Sequence, residues 1–265
     1  MCHHLKTGGS PPLGALCLDY TEDIHRPPGD VIVSETYTFP VIQEKVIGAT
    51  LWKVVDSQSF SDSYVQLFVD ACRVLQKKGC IGIITSCGFL AQIQERLAEQ
   101  IEVPIATSSL LQVPYVLAII GPRKKVGVIT FDEARLSETH FNGVGINNEM
   151  LKRVIVTGCH PKGALHRIIT RGDPYNAEEV KQELVNLATE LVQKNQDIGA
   201  IVLECTQMPP YSEAIQQATK LPVFDGVTMV KWFYSGLNSM AVPDDKNRQD
   251  ALRRRLRSSK EEKPP

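Results

Sequence analysis

A chain of 265 residues with 43% hydrophobic content can bury a sizeable core, as soluble globular proteins of one large or two modest domains do. Its formal net charge of −1 supplies no basic face for a phosphate backbone, so nucleic acid is not an expected partner. The longest apolar stretch, residues 113–120, is too short to cross a membrane, and no membrane association is expected.

The predicted elements alternate between strands and helices. Residues 1–12 carry histidines, glycines and prolines where a signal peptide needs a continuous apolar segment, and they are predicted to form a disordered leader. In chain order, the predicted strands are 13–18, 82–85, 104–106, 125–130, 153–156, 200–203 and 222–224, and the predicted helices are 61–77, 89–100, 177–195 and 210–219. Continuously apolar strands that alternate with helices indicate an α/β fold with parallel sheets.

An internal repeat divides the chain. Residues 81–87 and 199–205 each form an apolar run that ends in a cysteine, Cys87 or Cys205. In both halves a proline opens a short strand 17 positions after that cysteine (104 − 87 and 222 − 205). The match extends upstream, where residues 13–16 resemble residues 126–129.

The repeat predicts two pseudo-symmetric, flavodoxin-like lobes with parallel sheets and an active site in the cleft between them. We place lobe 1 at residues 13–121 and lobe 2 at residues 122–226. Residues 227–241 are predicted to return to lobe 1 as a helix. The charged residues 242–265, which are poor in apolar side chains, are predicted to form a flexible tail.

Cys87 and Cys205 are the candidate catalytic residues. In open parallel sheets, ligands bind beyond the carboxyl ends of the strands, where both cysteines lie, and a following helix N-terminus is expected to lower a thiol pKa. An isolated free cysteine is usually a core residue, but a pseudo-two-fold axis would bring both thiols to one cleft. The other five cysteines have no such pairing and are predicted to be structural: Cys2, Cys17, Cys72, Cys80 and Cys159.

The number of cysteines indicates the redox environment of the protein, and the positions of the histidines indicate whether it binds a metal. Seven cysteines, an odd number without a Cys-x-x-Cys pair, favour a reducing, cytoplasmic environment. The histidines show no metal-ligand spacing beyond the adjacent pair in the leader, so no metal is expected.

Two motifs resemble those of the aspartate/glutamate racemase superfamily, which also contains hydantoin racemases, maleate isomerases and arylmalonate decarboxylases. They are Ser-Cys-Gly-Phe at residues 86–89 and Leu-Glu-Cys-Thr-Gln-Met-Pro-Pro-Tyr at residues 203–211. Amino-acid racemases usually follow the first cysteine with Asn-Thr, which holds the substrate carboxylate, whereas Gly88 and Phe89 stand here. This departure argues against aspartate or glutamate as the substrate.

A closer resemblance is to a branch of this superfamily that has Cys-Gly-Phe and Leu-Glu-Cys-Thr-x-x-Pro-Pro-Tyr motifs. The branch includes the algal Alma-type dimethylsulfoniopropionate lyases, and Arg-Pro-Pro-Gly-Asp at residues 26–30 resembles it too. The resemblance implies a cofactor-independent enzyme for a small carboxylate and leaves a homodimer or a higher homo-oligomer open. Thr206 matches a family position that binds carboxylate.

Further substrate-binding candidates follow the cysteines or the other strand ends. Backbone amides after each cysteine and nearby hydroxyls would stabilise a developing enediolate. Beside Thr206, the candidates are Gly88, Phe89, Thr107, Ser108, Ser109, Asp19, Tyr20, Thr130 and Asp225. Polar residues at strand ends also serve as turns and helix caps, so a structural role stays open for residues 107–109, Asp19, Tyr20, Thr130 and Asp225.

The main hypothesis is a racemase or epimerase, in which a thiolate takes a proton next to a carboxylate and an opposed thiol returns one. If the β carbon carries a leaving group, the same carbanion expels it, which makes the protein a lyase of the dimethylsulfoniopropionate type. Four aromatic residues are candidates for a sulfonium-binding wall: Phe89, Phe224, Trp232 and Tyr234. A non-catalytic small-molecule sensor and an isomerase such as maleate isomerase remain as further alternatives.

Overall fold

Two four-stranded parallel sheets form the protein. A computed structural model describes residues 10–20 and 23–239. The first sheet has the order β2-β1-β3-β4, with β1 Leu13–Leu18, β2 Val41–Val46, β3 Ile83–Thr85 and β4 Ile105–Ala106. The second has the order β6-β5-β7-β8, with β5 Lys125–Thr130, β6 Val154–Gly158, β7 Ile198–Leu203 and β8 Val223–Phe224. This architecture confirms the predicted α/β fold of two parallel-sheet lobes.

Helices connect and cover the strands. The α-helices of the described residues are α1 Leu51–Val54, α2 Asp62–Lys77, α3 Gln94–Ala98, α4 Val113–Ile119, α5 Glu138–Gly143, α6 Asn148–Leu151, α7 Ala164–Arg171, α8 Ala177–Lys194, α9 Ser212–Thr219 and α10 Gly226–Leu237. Short 3₁₀ helices span Gly88–Ile93 and Pro209–Tyr211. Within this part of the chain, no helix combines the length and the apolar composition of a membrane span.

The same close approach between a strand and a helix occurs in both halves. A side chain at Gly14 would place its Cβ 2.8 Å from Leu75 of α2, and one at Gly127 would place it 2.9 Å from Leu191 of α8. Real Cβ atoms essentially never come so close, so a larger residue at either position would force the leucine of the covering helix to shift. The repeated glycine in the sequence therefore reflects a repeated packing contact.

The long covering helices begin as their sequences predict. The Ser61 side chain accepts a hydrogen bond from the Tyr64 amide at the start of α2, and the Asn176 side chain accepts from two amides at the start of α8. The apolar face of α2 packs on β1 and β2, and α8 packs on β5 and α9. These contacts bury one face of each sheet.

Helix α10 covers the other face of the first sheet. Its residues Met229, Val230 and Tyr234 pack with Leu13 and Ile84 in a hydrophobic cluster that is separate from the main core. The second half of the chain thus ends against the first lobe. Residues 1–9 of the predicted leader and the whole predicted tail lie outside the described residues.

Several elements were missed by the sequence analysis. Strand β2 is one of them, because its residues Gln43 and Glu44 interrupt the apolar pattern of an edge strand that is only partly buried. Helices α5, α6 and α7 are short, between four and eight residues, so their periodicity is weak. The predicted helices 89–100 and 210–219 each begin as a 3₁₀ segment.

Candidate active site

A small cavity lies at the carboxyl ends of β3 and β7, between the two sheets. Its volume is about 20 Å³, which is room for about one water molecule. Its lining comes from both halves of the chain: Tyr20, Arg26, Leu51, Val55, Ser86, Cys87, Gly88, Phe89, Phe131, Ile169, Cys205, Thr206 and Gln207. Because the cavity is so small, lining side chains or the lobes must move apart before a substrate enters.

Cys87 reaches this cavity from the first lobe. It follows β3, with Ser86 between, and it immediately precedes the 3₁₀ helix Gly88–Ile93. The Thr85 hydroxyl fixes the turn, since it lies 3.0 Å from the Cys87 carbonyl oxygen and donates to the Thr107 carbonyl oxygen at 2.6 Å. Burial raises the pKa of the Cys87 thiol to about 12, and the charge of Glu204 adds to this rise.

Cys205 reaches the cavity from the second lobe. It stands two residues beyond β7, whose last carbonyl, on Leu203, accepts a hydrogen bond from the Ser109 hydroxyl at 2.7 Å. Burial raises its pKa as well, and the charge of Glu204 and an ionised Cys87 raise it further. The two thiols thus face one cavity closely enough for the charge of one to affect the other.

Both pKa directions correct the expectation from helix dipoles. The amides of Phe89 and Gln207 do stabilise the thiolates, but burial outweighs them. A six-residue 3₁₀ helix follows Cys87 before the short α3, and α9 begins only seven residues beyond Cys205 (212 − 205), so neither thiol caps a long α-helix. Both cysteines are therefore neutral thiols at rest near pH 7.

Glu204 places a buried carboxyl beside Cys205. Its Oε2 accepts a hydrogen bond of 2.8 Å from the Thr130 hydroxyl, while its Oε1 is buried without a hydrogen-bond partner among the described residues. A side chain at Gly88 would collide with Glu204, since its Cβ would lie 2.5 Å from the Glu204 carbonyl oxygen. Burial raises the pKa of Glu204 to about 7. Glycine after the first cysteine thus makes room for the glutamate before the second.

Arg26 brings a guanidinium to the cavity wall. Its Nη1 donates to both oxygens of Asp30 at 3.2 and 3.0 Å, and the two side chains are 7% and 0% exposed. Burial disfavours the charge of Arg26, but Asp30, Tyr20 and Cys205 more than offset this effect and raise its pKa. The Arg-Pro-Pro-Gly-Asp motif was the sequence signal for this pair.

Four of the predicted substrate-binding residues line the cavity together with the two thiols. Gly88, Phe89 and Thr206 follow the two cysteines, and Tyr20 follows β1. The Thr206 hydroxyl donates to the Ser86 carbonyl oxygen at 2.7 Å, so it joins the two motifs across the lobes. A substrate would have to compete with this bond to use the Thr206 hydroxyl.

The structure does not place the other six predicted binding residues at the cavity. Their polar atoms bond to the protein instead: Thr107 to Gln94, Ser108 to the Leu110 amide, Ser109 to Leu203, Asp19 to the Gly48 amide, Thr130 to Glu204, and Asp225 to Ser212 and the Thr228 amide. Each follows or lies near a strand end, as expected, but serves a turn, a cap or a lobe contact.

The aromatic lining also differs from the expected wall. Of the four aromatic candidates, Phe89 alone lines the cavity, where Tyr20 and Phe131 join it. Phe224 and Trp232 line a separate apolar groove near β8, and Tyr234 stacks on Phe39. Sequence reasoning also missed Leu51, Val55 and Ile169, because no local motif distinguishes them from core residues.

The remaining cysteines that the structure describes do not line the cavity. Cys17, Cys72, Cys80 and Cys159 are buried, and no disulfide bond joins the cysteines of the described residues. Burial raises the pKa of Cys72 to about 12 and that of Cys159 well above the ordinary value. Cys2 lies outside the described residues.

Comparison with known proteins relates this site to a family. A dimethylsulfoniopropionate lyase of Durusdinium sp. clade D is 31% identical over 228 residues, which cover 84% of this chain and 74% of that protein. Dimethylsulfoniopropionate lyase 7 of Emiliania huxleyi is 31% identical over 234 residues, or 86% of this chain and 67% of the relative. The chain belongs to the dimethylsulfoniopropionate lyase family. No protein-family model matches the chain.

Solved structures of an arylmalonate decarboxylase and of amino-acid racemases have the same fold. Unliganded arylmalonate decarboxylase superposes with a TM-score of 0.53 and 14% identity over 88% of this chain and 94% of that chain. An aspartate racemase homologue from Pyrococcus horikoshii gives a TM-score of 0.54 and 15% identity over 87% of this chain and 100% of that chain. A glutamate racemase from Bacillus anthracis gives a TM-score of 0.53 and 14% identity over 86% of this chain and 81% of that chain. At this identity the likeness concerns the fold alone. The sequence relatives, which are named as lyases, indicate that the chain is an enzyme.

Proposed function

We propose that the protein is a cofactor-independent lyase that eliminates a β substituent from a small carboxylate of the dimethylsulfoniopropionate type. The observation that carries the proposal is the cavity at which two thiols meet aromatic rings from both lobes. The relatives named as dimethylsulfoniopropionate lyases support the same reaction class.

The elimination needs one base at the α carbon. A cysteine thiolate takes a proton from the α carbon, and the electron pair of that C–H bond forms the double bond between the α and β carbons. The bond between the β carbon and sulfur breaks, and its electrons stay on the sulfur. From dimethylsulfoniopropionate the products are dimethyl sulfide and acrylate, and the proton on the thiol returns to solvent.

The environment of the thiols suits a cationic substrate. Both thiol pKa values are raised, so a thiolate in this site is a strong base but is seldom formed without help. A sulfonium beside the thiol would stabilise the thiolate by its charge, so the pKa would fall when the substrate binds. The rings of Tyr20, Phe89 and Phe131 offer faces on which such a cation can rest.

Racemisation or epimerisation of a small carboxylate is the second candidate. It is favoured by the same pair of thiols, since inversion needs a base on one side of the carbon and an acid on the other. The two thiols come from different lobes, and the charge of an ionised Cys87 raises the pKa of Cys205. A lyase needs one of them as its base.

Product analysis with the purified full-length chain tests these two reactions. Incubation with dimethylsulfoniopropionate should release dimethyl sulfide into the headspace and equal amounts of acrylate into solution. A panel of chiral carboxylates in D₂O, followed by chiral chromatography and NMR, should show no inversion with deuterium uptake at the α carbon. A variant with both Cys87→Ser and Cys205→Ser is the matched control. Inversion without release of dimethyl sulfide would reject the lyase in favour of the racemase, and no reaction on either panel would reject both.

A further inference from the structure

The guanidinium of Arg26 is hydrogen-bonded to Asp30 through Nη1, whereas the edge formed by Nε and Nη2 is available to a ligand. The Nη1 atom is held by Asp30, which also accepts a hydrogen bond from the Ile32 amide at 3.1 Å. The Nη2 atom lies 3.5 Å from the Ser86 carbonyl oxygen, at the limit of a hydrogen bond. The Nε atom is buried and has no hydrogen-bond partner among the described residues.

A buried guanidinium N–H without a partner costs free energy, because it has lost its hydrogen bonds to water. The side chain of Arg26 is 93% buried (100 − 7), so bulk solvent does not reach Nε. The Nε and Nη2 groups point along the same side of the guanidinium plane, and this spacing matches the two oxygens of a carboxylate. An acceptor with two oxygens is thus the group that this edge lacks.

The position of Arg26 relates this edge to the reacting groups. Arg26 lines the same cavity as Cys87 and Cys205, and its charge lowers the pKa of both thiols. A carboxylate held here would lie within the field of both cysteines, with its α carbon one bond away. The aromatic rings of Tyr20, Phe89 and Phe131 would be left for the substituent at the other end.

We propose that the Nε and Nη2 edge of Arg26 binds the substrate carboxylate side-on and thereby determines specificity for carboxylates. This inference rests on the proposed function, in which the substrate is a small carboxylate. Asp30 keeps the guanidinium charged and oriented. It occupies the Nη1 atom and leaves the Nε and Nη2 edge for the substrate carboxylate. The Arg-Pro-Pro-Gly-Asp segment supplies both members from one turn.

Arg26→Lys is the decisive variant. A lysine keeps a positive charge opposite Asp30, so the buried carboxylate stays paired, but it has no N–H group at the position of Nε. We expect KM for dimethylsulfoniopropionate to rise by about 10- to 100-fold, which is the loss that a hydrogen bond to a charged group predicts. The change in kcat should be smaller. The control is Arg73→Lys, which makes the same change in an exposed ion pair with Asp70.

Calorimetric titration with propionate separates this inference from the proposed function, since it needs no turnover. Propionate has the carboxylate but no leaving group, and propionamide is its neutral counterpart. Propionate should bind the wild-type chain and Arg73→Lys, bind Arg26→Lys at least 10-fold more weakly, and bind in preference to propionamide. If Arg26→Lys does not fold, the double variant Arg26→Gln with Asp30→Asn removes both charges together and takes its place.

The outcomes are distinct. Wild-type binding of propionate that Arg26→Lys leaves unchanged, or no binding of propionate to the wild-type chain, would overturn the role of Arg26 whatever the activity. Propionate binding that depends on Arg26 in a chain that releases no dimethyl sulfide would support the inference and reject the lyase.

Discussion

The two lobes repeat each other as scaffolds and differ as chemical environments. Both sheets have the strand order 2-1-3-4, counted within each lobe, both opening strands carry a glycine under a covering helix, and both third strands lead into a cysteine. Around those cysteines the halves diverge. Ser86 and Gly88 flank Cys87, whereas Glu204 and Thr206 flank Cys205.

The difference indicates that the residues that pack each lobe and the residues that surround the thiols were constrained separately. The covering helices need a small residue at the same point of each strand, so the glycines repeat. The buried carboxyl of Glu204 precedes Cys205, whereas Ser86 precedes Cys87, and the bulk of Glu204 is accommodated by the glycine in the opposite lobe. The two thiols therefore differ in their surroundings, and an asymmetric reaction such as elimination suits this arrangement.

Replacing the cysteines tests the asymmetry most strongly. Cys87→Ser and Cys205→Ser each remove one thiol, and loss of the base should lower kcat for elimination by about 10²- to 10⁴-fold. Because one thiol is the base, we expect the two variants to differ by at least about 10-fold. Steady-state rates of dimethyl sulfide release measure this, and equal losses would indicate the symmetric demand of a racemase.

Glu204→Gln tests the buried carboxyl. In the folded protein its pKa is about 7, above the ordinary value of 4.5, so the folded state keeps the proton that the unfolded state releases. Wild-type stability should therefore fall as pH rises from about 4.5 to about 7. The variant lacks this cost, and its free energy of unfolding should exceed that of the wild type by up to about 3 kcal/mol at the upper end.

Urea denaturation at several pH values measures the Glu204 effect. The matched control is Glu190→Gln, which changes an exposed glutamate paired with Lys194 on α8. The control should shift stability by well under about 1 kcal/mol at every pH. A Glu204→Gln curve parallel to that of the wild type would show that Glu204 ionises normally in the folded protein.

Gly88→Ala tests whether the glycine of the first motif serves the glutamate of the second. The new methyl group would meet the backbone and side chain of Glu204, and such overpacking should cost about 1–3 kcal/mol. Gly236→Ala is the control, because no other atom lies within 4 Å of its Cβ position and it lies in α10. That change should stabilise the helix by about 0.5–1 kcal/mol. Similar thermal stability in the two variants would contradict the contact.

Asp225→Ala has the smallest expected effect. Asp225 caps α10, where its side chain accepts a hydrogen bond from the Thr228 amide at 2.7 Å. Loss of the cap should cost about 1 kcal/mol of stability and leave kcat/KM unchanged. A large fall in kcat/KM in a fully folded variant would indicate that Asp225 binds the substrate, as its position after a strand end suggested.

The sequence by itself determined the features that repeat or that are local. Strand patterns, the spacing from each cysteine to its proline and the shared glycines predicted two related parallel-sheet lobes, because buried parallel strands need continuous apolar residues. The two cysteines were found for the same reason, since they end strands that the repeat aligns. The motif at residues 26–30 marked Arg26, although its pairing with Asp30 was not predicted.

The tertiary structure alone decided what surrounds the thiols. Thr206 meets Ser86, and Gly88 meets Glu204, across more than 100 positions of sequence (206 − 86 and 204 − 88), and no local pattern encodes such contacts. Burial likewise reversed the predicted direction of both thiol pKa values, because desolvation depends on every element packed around the cavity. Polar residues at strand ends look alike in sequence, and only packing decides which of them face a cavity and which fix a turn.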